Sequence, residues 1–283
     1  MQSMEAALAA IQQLKPGHRA LRYLGQGMGG KVFQVQDPVS GGMTVLKVFH
    51  EPWPFDMAEG LRLYRDRVRE YRFGLEPLTL YEEGSQILAL EYPYTPIYPL
   101  HWRLLAANEP LAQAMFGAYC QAQAHVMSVY GLGLADTIAE HFFLDQTGEF
   151  HFIDYGIHIE RVDADYVREQ GIFGYAFAMM LVSLYGENLK EDASPAPGYR
   201  NDLPCVYCQN DLLDEVAHRR PWVSELVQRV RGESAELFYR PEFYKELAGR
   251  FYRPVAHPRW QIGLSQGLFT LGKIKQKVVR RAI

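Results

Sequence analysis

Residues 24–36 read Leu24-Gly25-Gln26-Gly27-Met28-Gly29-Gly30-Lys31-Val32-Phe33-Gln34-Val35-Gln36. Gly-x-Gly-x-x-Gly-x-Val is present in full, from Gly25 to Val32. Glycines at this spacing let backbone N–H groups approach a phosphate, because no side chain blocks the way. The plainer alternative is a turn that only needs positive φ. The flanks separate the nucleotide motifs that share the pattern. In a dinucleotide-binding unit the glycines open a helix. Here Val32 to Gln36 alternates apolar and polar residues, which is a strand's period. Leu21 to Leu24 reads as a strand on the other side. Strand, glycine turn, strand is the geometry of a loop that covers phosphates.

Asp37-Pro38 and Gly41-Gly42 punctuate the next turn, and Met43 to Phe49 reads as a third strand. Within it, Thr44-Val45-Leu46-Lys47-Val48 places a lysine seventeen residues after Gly30. A lysine in an apolar, β-branched strand either snorkels at an edge or pairs with nucleotide phosphates and a helix carboxylate. Met57 to Phe73 has largely helical spacing and is closed by Gly74 and Pro77. Its carboxylates are Glu59, Asp66 and Glu70, of which Glu70, one turn before the expected helix end, is preferred. Two more strands follow at Leu78 to Tyr81 and Gln86 to Leu90. Glu91 to Pro99, with Pro93, Pro96 and Pro99, reads as a stiff connector between lobes. The remainder is mostly helical: Leu111 to Val129, Val167 to Tyr185, Asp211 to Val230, Pro241 to Phe251 and Gly263 to Ile283. A strand pair, Phe142 to Asp145 and Glu149 to Ile153, interrupts it, and Glu191 to Pro204 reads as a loop.

The composition bounds the function. With 283 residues, 48% apolar and 22% charged, the chain is an ordinary globular one. A net charge of −4 excludes a generally basic nucleic-acid binder. The charge is unevenly spread. No acid follows Glu246, whereas eight bases do, so the last 37 residues carry +8 and the first 246 carry −12. The simple account is a solvated helix face; the other is contact with a polyanion or an anionic membrane. Cys205 and Cys208 form one Cys-x-x-Cys, but zinc needs four ligands, so free thiols in a reducing cytosol are expected. The first sixteen residues lack a basic start followed by an apolar core, and no secretion signal is expected. The longest uncharged apolar stretch, Gly171 to Gly186, has 16 residues. A span needs about 20.

A second cluster sharpens the reading. Asp136-Thr137-Ile138-Ala139-Glu140-His141-Phe142-Phe143-Leu144 precedes Phe152-Ile153-Asp154-Tyr155-Gly156, and the two aspartates are 18 residues apart. With these elements in order, residues 20–190 resemble the protein-kinase-like superfamily. In that resemblance Gly25, Gly27 and Gly30 match the glycine loop and Lys47 the strand lysine. Leu90-Glu91-Tyr92 matches the hinge, whose backbone binds adenine. Asp136 matches the catalytic aspartate, and Asp154-Tyr155-Gly156 the metal-binding triplet. Four positions depart from the family. Leu134-Ala135 replaces His-Arg, Ile138 replaces a lysine, and His141 replaces an asparagine. The short stretch between Gly156 and the next helix, and the lack of an Ala-Pro-Glu anchor, argue against a peptide platform. The pattern Asp136, His141, Phe142, Leu144, Ile153 and Asp154 is similar to the bacterial kinases of lipopolysaccharide core sugars, the heptose and Kdo kinases. The stretch His151 to Gly156 also looks like the corresponding region of phosphoinositide kinases.

The resemblance implies an α+β, two-lobed protein-kinase-like fold with a small β-rich N-lobe and a larger helical C-lobe. The divisions expected are a helical extension at 1–19, the N-lobe at 20–91, the C-lobe at 92–246 and a basic amphipathic segment at 247–283. It implies an ATP-dependent kinase with Mg²⁺ as cofactor. Gly25, Gln26, Gly27, Gly30, Val32, Lys47, Glu70, Glu91 and Tyr92 would form the ATP site. Lys47 and Asp136 would be catalytic, and Asp154 with His141 would hold the metal. The implied acceptor is a sugar or lipid-linked hydroxyl, foremost a lipopolysaccharide core sugar at the inner membrane. The alternatives are an atypical Ser/Thr protein kinase and a pseudokinase scaffold that binds nucleotide without turnover. The expected location is cytoplasmic, peripheral to the inner face of that membrane. There Leu264, Leu268, Phe269, Leu271, Ile274, Val278 and Val279, mixed with five bases, would lie on anionic lipid.

Overall fold

The computed structural model describes residues 3–26, 29–53, 55–135, 137–153, 159–162, 171–185, 211–231 and 233–282. It describes their side chains too, except at 52–57, 159–160, 211–212 and 271–282. The chain is mixed α/β, built around a five-stranded antiparallel sheet with nine α-helices among the described residues. It divides into two compact units, Met1–Pro96 and, in the main, Ile97–Asp154 with Glu160–Ile283. None of the described helices is long and apolar enough to cross a membrane.

The first unit is a sheet with two different faces. Its strands are β1 (Arg19–Gln26), β2 (Gly30–Gln36), β3 (Met43–Trp53), β4 (Thr79–Glu83) and β5 (Gln86–Pro93). Their order is β1-β2-β3-β5-β4, all neighbours antiparallel. Side chains alternate between faces along each strand. Phe33, Val35, Leu46, Val48 and Ala89 take one face and bury it against Ala7 and Ile11 of helix α1 (Met4–Leu14). Ser3 caps that helix by accepting the Ala6 N–H at 3.0 Å. Val32, Lys47 and Leu90 stand opposite one another in the ladders and so form a row on the other face.

Helix α2 (Phe55–Arg67) follows β3 and is tied to the β4–β5 hairpin. Glu82 accepts from Arg62 and Arg65, each at 2.7 Å, and Arg62 also donates to the Ser85 carbonyl at 2.6 Å. The helix stops at Arg67, earlier than its sequence pattern predicts. The chain instead turns back through Phe73 and Gly74, both with left-handed φ, and Arg72 bridges to Leu75. Gly74 is thus part of the reversal and not a helix cap.

The second unit is organised by α4 (Glu109–His125), preceded by α3 (Trp102–Ala107). Met115 through Cys120 are buried without a break, more than a full turn, so protein surrounds α4 on every side. The Phe116 ring lies 5.5–5.6 Å from those of Phe177, Trp222 and Phe251. Those rings belong to α5 (Ile172–Ser183), α7 (Pro221–Val230) and α8 (Pro241–Phe251). A Cβ at Gly117 would fall 2.2 Å from the Tyr252 amide nitrogen, so glycine sets how closely α8 approaches. The single helix read from Asp211 to Val230 is two, because Pro221 opens α7 after α6 (Asp211–Arg219). Short strands complete the unit: β6 (Ile97–Pro99), β7 (Leu132–Leu134), β8 (Phe142–Asp145), β9 (Phe150–Phe152) and β10 (Ile159–Arg161). The final helix, α9 (Pro258–Ala282), begins before the glycine where the sequence pattern places its start.

Removing the α1 contact tests the first unit directly. Ile11→Ala deletes a fully buried side chain and should cost about 2–5 kcal/mol. The loss should be read as lower hydrogen-exchange protection of β2 and β3 amides, with α8 amides unchanged.

Candidate functional site

The candidate residues divide between the two units. In the first, Gly25 and Gln26 end β1, and Gly30 and Val32 open β2. Gly27 lies outside the described residues. The described glycines differ in what they are for. At Gly30 a Cβ would sit 2.4 Å from the Val48 carbonyl oxygen, so the sheet itself requires glycine. At Gly25 a Cβ would meet no atom within 4 Å, and φ is not left-handed. Packing gives no reason for glycine at Gly25.

Lys47 sits on β3, between β2 and β5, directly across from Val32 and Leu90. It is 9% exposed, with its ammonium 5.9 Å from the Phe49 ring centre. Its place on an inner strand contradicts the edge-lysine alternative. Lys31 is a second buried lysine that the motif reading passed over, at 5% exposure. It alternates in phase with Phe33 and Val35, so it belongs to the α1 side of the sheet and Lys47 to the other.

Glu70 does not sit on the helix after β3. It lies three residues beyond the end of α2, with its carboxylate exposed and 3.6 Å from Arg72. The turn at Phe73–Gly74 takes the chain away before the expected last helical turn can form. Of the other carboxylates, Glu59 is on α2, and Asp66 pairs with Arg65 at 2.8 Å.

Glu91 has a structural task. It lies across from Leu46 and Thr79, in phase with Phe33, and thus on the α1 face. Its carboxylate accepts from Lys15, at the end of α1, and from the Tyr81 hydroxyl. Burial alone would raise the Glu91 carboxyl, but donors from Lys15, Thr44 and Tyr81 outweigh it and hold it below the ordinary value. The same burial and the Glu91 charge push the Tyr81 phenol up. Tyr92 follows on β5, across from Val45. Beyond it, Pro93 has no N–H, and the Tyr94 N–H is taken by the Met43 carbonyl at 3.2 Å. Backbone donors of the expected hinge are therefore scarce after Tyr92.

In the second unit, Asp136 and Asp154 lie outside the described residues. The described residues beside them are held by hydrogen bonds. Gln123 of α4, fully buried, accepts the Leu134 N–H at 2.7 Å and donates to the Leu134 carbonyl at 3.4 Å. Thr137, also fully buried, donates to the Ala176 carbonyl at 3.2 Å. The Ala139 N–H donates to Ser183 Oγ at 2.7 Å. Both flanks of position 136 are thereby fixed to α4 and α5. The Ile153 N–H donates to the His141 carbonyl at 3.0 Å, so the residue before Asp154 lies against His141. Gln123, Thr137 and Ser183 escaped sequence reasoning. The one available signal was a polar side chain inside an apolar helical run.

The β8–β9 turn gathers Asp145, Glu149 and His151, whose potential ligand atoms lie within 4.8 Å of one another. Asp145 already has a full set of donors. Its Oδ1 accepts from the N–H groups of Thr147, Gly148 and Glu149 and from the Thr147 hydroxyl, at 2.7–3.0 Å. Its Oδ2 faces His151 Nε2 at 3.2 Å. Burial opposes ionisation of Asp145, but these donors prevail and lower its pKa. The arrangement closes a hairpin. Of the cysteines, Cys205 and Cys208 lie outside the described residues, and Cys120 is a buried free thiol whose pKa burial raises.

With this geometry in view, no protein-family model matches the chain, and no curated protein matches it.

Two measurements test these assignments. Gly30→Ala should lose about 1–3 kcal/mol in chemical denaturation, whereas Gly25→Ala should stay within about 0.5 kcal/mol of the wild type. Gln123→Met keeps the volume but leaves both polar groups of Leu134 without this partner. It should cost about 1–3 kcal/mol in the same assay.

Proposed function

We propose that this protein is an ATP-dependent phosphotransferase that moves the γ-phosphoryl group to a hydroxyl of a non-protein acceptor. The observation that carries this reading is Lys47, a buried lysine on an inner strand, in one row with Val32 just after the glycine turn. An ammonium placed there can neutralise phosphate charge where water is scarce. The strand order β1-β2-β3-β5-β4, with α2 inserted after β3, supports a protein-kinase-like N-lobe. Gly25 supports it too, since a glycine without a packing reason leaves room for a ligand.

In this reading the Gly25–Gly30 turn covers the phosphates, and Lys47 holds them in line for transfer. Asp136 orients the acceptor hydroxyl and accepts its proton as the oxygen attacks. Asp154 and His141 would hold the divalent ion, which supplies charge neutralisation at the β- and γ-phosphates. A carboxylate fits Mg²⁺, and an imidazole beside it suits Mn²⁺ at least as well. The bonds from Gln123, Thr137 and Ser183 give the catalytic loop a rigid seat, and positioning is most of what phosphoryl transfer needs. The spacing of Asp136, His141, Phe142, Leu144, Ile153 and Asp154 favours a lipopolysaccharide core sugar as acceptor.

Leu134, Ala135, Ile138 and His141 favour a second reading, a pseudokinase that binds nucleotide as a scaffold. Transfer of label from γ-labelled ATP to purified lipopolysaccharide core, with Mg²⁺ or Mn²⁺, separates the two. Wild type should transfer label, and Lys47→Met should lower kcat/KM by about 100-fold or more while the fold is kept. Transfer by Lys47→Met or Asp136→Ala at the wild-type rate would remove the mechanism. ATP binding with no turnover on any acceptor would favour the scaffold.

A further inference from the structure

Over its described side chains, helix α9 has one side packed on the second unit and another that exposes apolar residues. Gln261, Ile262 and Ser265 are buried in the second unit. Ser265 donates to the Pro99 carbonyl and accepts the His101 N–H, both at 2.8 Å. Phe269 sits 4.8 Å from the His101 ring. The anchored side is therefore fixed to β6 and the start of α3.

The other side begins with Trp260, 62% exposed, and Leu264, 40% exposed. They are four residues apart and stack along one face. Five residues separate Trp260 from Ser265, roughly 140° of rotation at 3.6 residues per turn. In the sequence the spacing of four and three continues through Gly267, Leu271, Ile274 and Val278, along one uninterrupted helix. Interleaved with these positions are Lys273, Lys275, Lys277, Arg280 and Arg281, and no acid follows Glu246.

An apolar stripe whose only charged neighbours on the helix are bases restricts what can cover it. A second copy of α9 packed in parallel would set five bases against five, and in either direction it offers no acid to offset them. An anionic bilayer surface satisfies both features. Indole rings settle at the head-group boundary, and lysine and arginine reach lipid phosphates. We infer that α9 lies on an anionic membrane surface, with Trp260 and Leu264 at the head-group boundary, and that the basic sequence of residues 273–281 supplies the preference for anionic lipid. This docking depends on the helix alone and not on the phosphotransferase reading.

The full chain should be sedimented with vesicles of pure phosphatidylcholine and with vesicles of phosphatidylcholine and phosphatidylglycerol in equal parts. Binding to the anionic vesicles only is expected, and it should weaken as salt is raised. The double variant Trp260→Ser/Leu264→Ser changes two exposed residues, so its circular dichroism should be unchanged. Its vesicle affinity should fall by about tenfold or more, and Lys273→Glu/Lys277→Glu should lose a similar amount. Equal binding to neutral and anionic vesicles would overturn the assignment, as would unchanged binding of the double variant. A lipid-free dimer that Trp260→Ser/Leu264→Ser abolishes would also overturn it, by giving the stripe to a second copy.

Discussion

A helix with protein on every side has no water to satisfy a polar side chain, and α4 carries one there, Gln123. Burying an amide is tolerable only where its hydrogen bonds are made. Gln123 makes them to both backbone polar groups of Leu134, two residues before Asp136. The core and the candidate catalytic loop are therefore one construction. Phe116 draws α5, α7 and α8 around α4, Gly117 sets the approach of α8, and the helix so enclosed aims Gln123 at β7. Thr137 and Ser183 complete the seat from the α5 side. A change far from the loop that shifted α4 by a fraction of an ångström would reach position 136 through these bonds.

The sheet of the first unit works by alternation. One step along a strand exchanges the face that packs on α1 for the face that carries Lys47. Glu91 and Leu90 are neighbours in the chain, yet Glu91 faces Lys15 and Tyr81 while Leu90 stands across from Lys47. The same step separates Lys31 from Val32. Residues of similar chemistry thus have unrelated tasks, decided by strand phase and not by type.

Where the controlling interaction was local, the sequence was readable. The alternation from Val32 to Gln36, the lysine in a β-branched run and the turn residues around Gly41 each report on neighbours a few positions away. Pro241 and Phe251 bound α8 as the apolar spacing predicts. The misreadings share a different cause. The helix through Glu70 looked continuous because Leu61, Tyr64, Val68 and Tyr71 keep largely helical spacing past Arg67. What ends it is the return of the chain through Phe73 and Gly74 to Leu75. The task of the Glu91 side chain was hidden for the same reason, since its partner Lys15 lies 76 positions upstream. Gln123 was hidden among alanines, where nothing nearby marks it as the support for Leu134. The face of α9 that packs could not be told from the face that does not until Ser265 was seen between Pro99 and His101.

The reach between Lys15 and Glu91 also imposes an order on synthesis. Helix α1 leaves the ribosome before the strands it packs on, so its apolar side matches surfaces that do not yet exist. A helix of 11 residues is marginal by itself in water. At about 5–20 residues per second, the 76 positions up to Glu91 take about 4–15 s to emerge. Phe33, Val35, Leu46 and Val48 emerge sooner, but for that interval the face that covers Ala7 and Ile11 still lacks Ala89, and Lys15 lacks its carboxylate. The last strand of the sheet's centre is thus what secures a helix made well before it, and the first unit closes only once β5 is out.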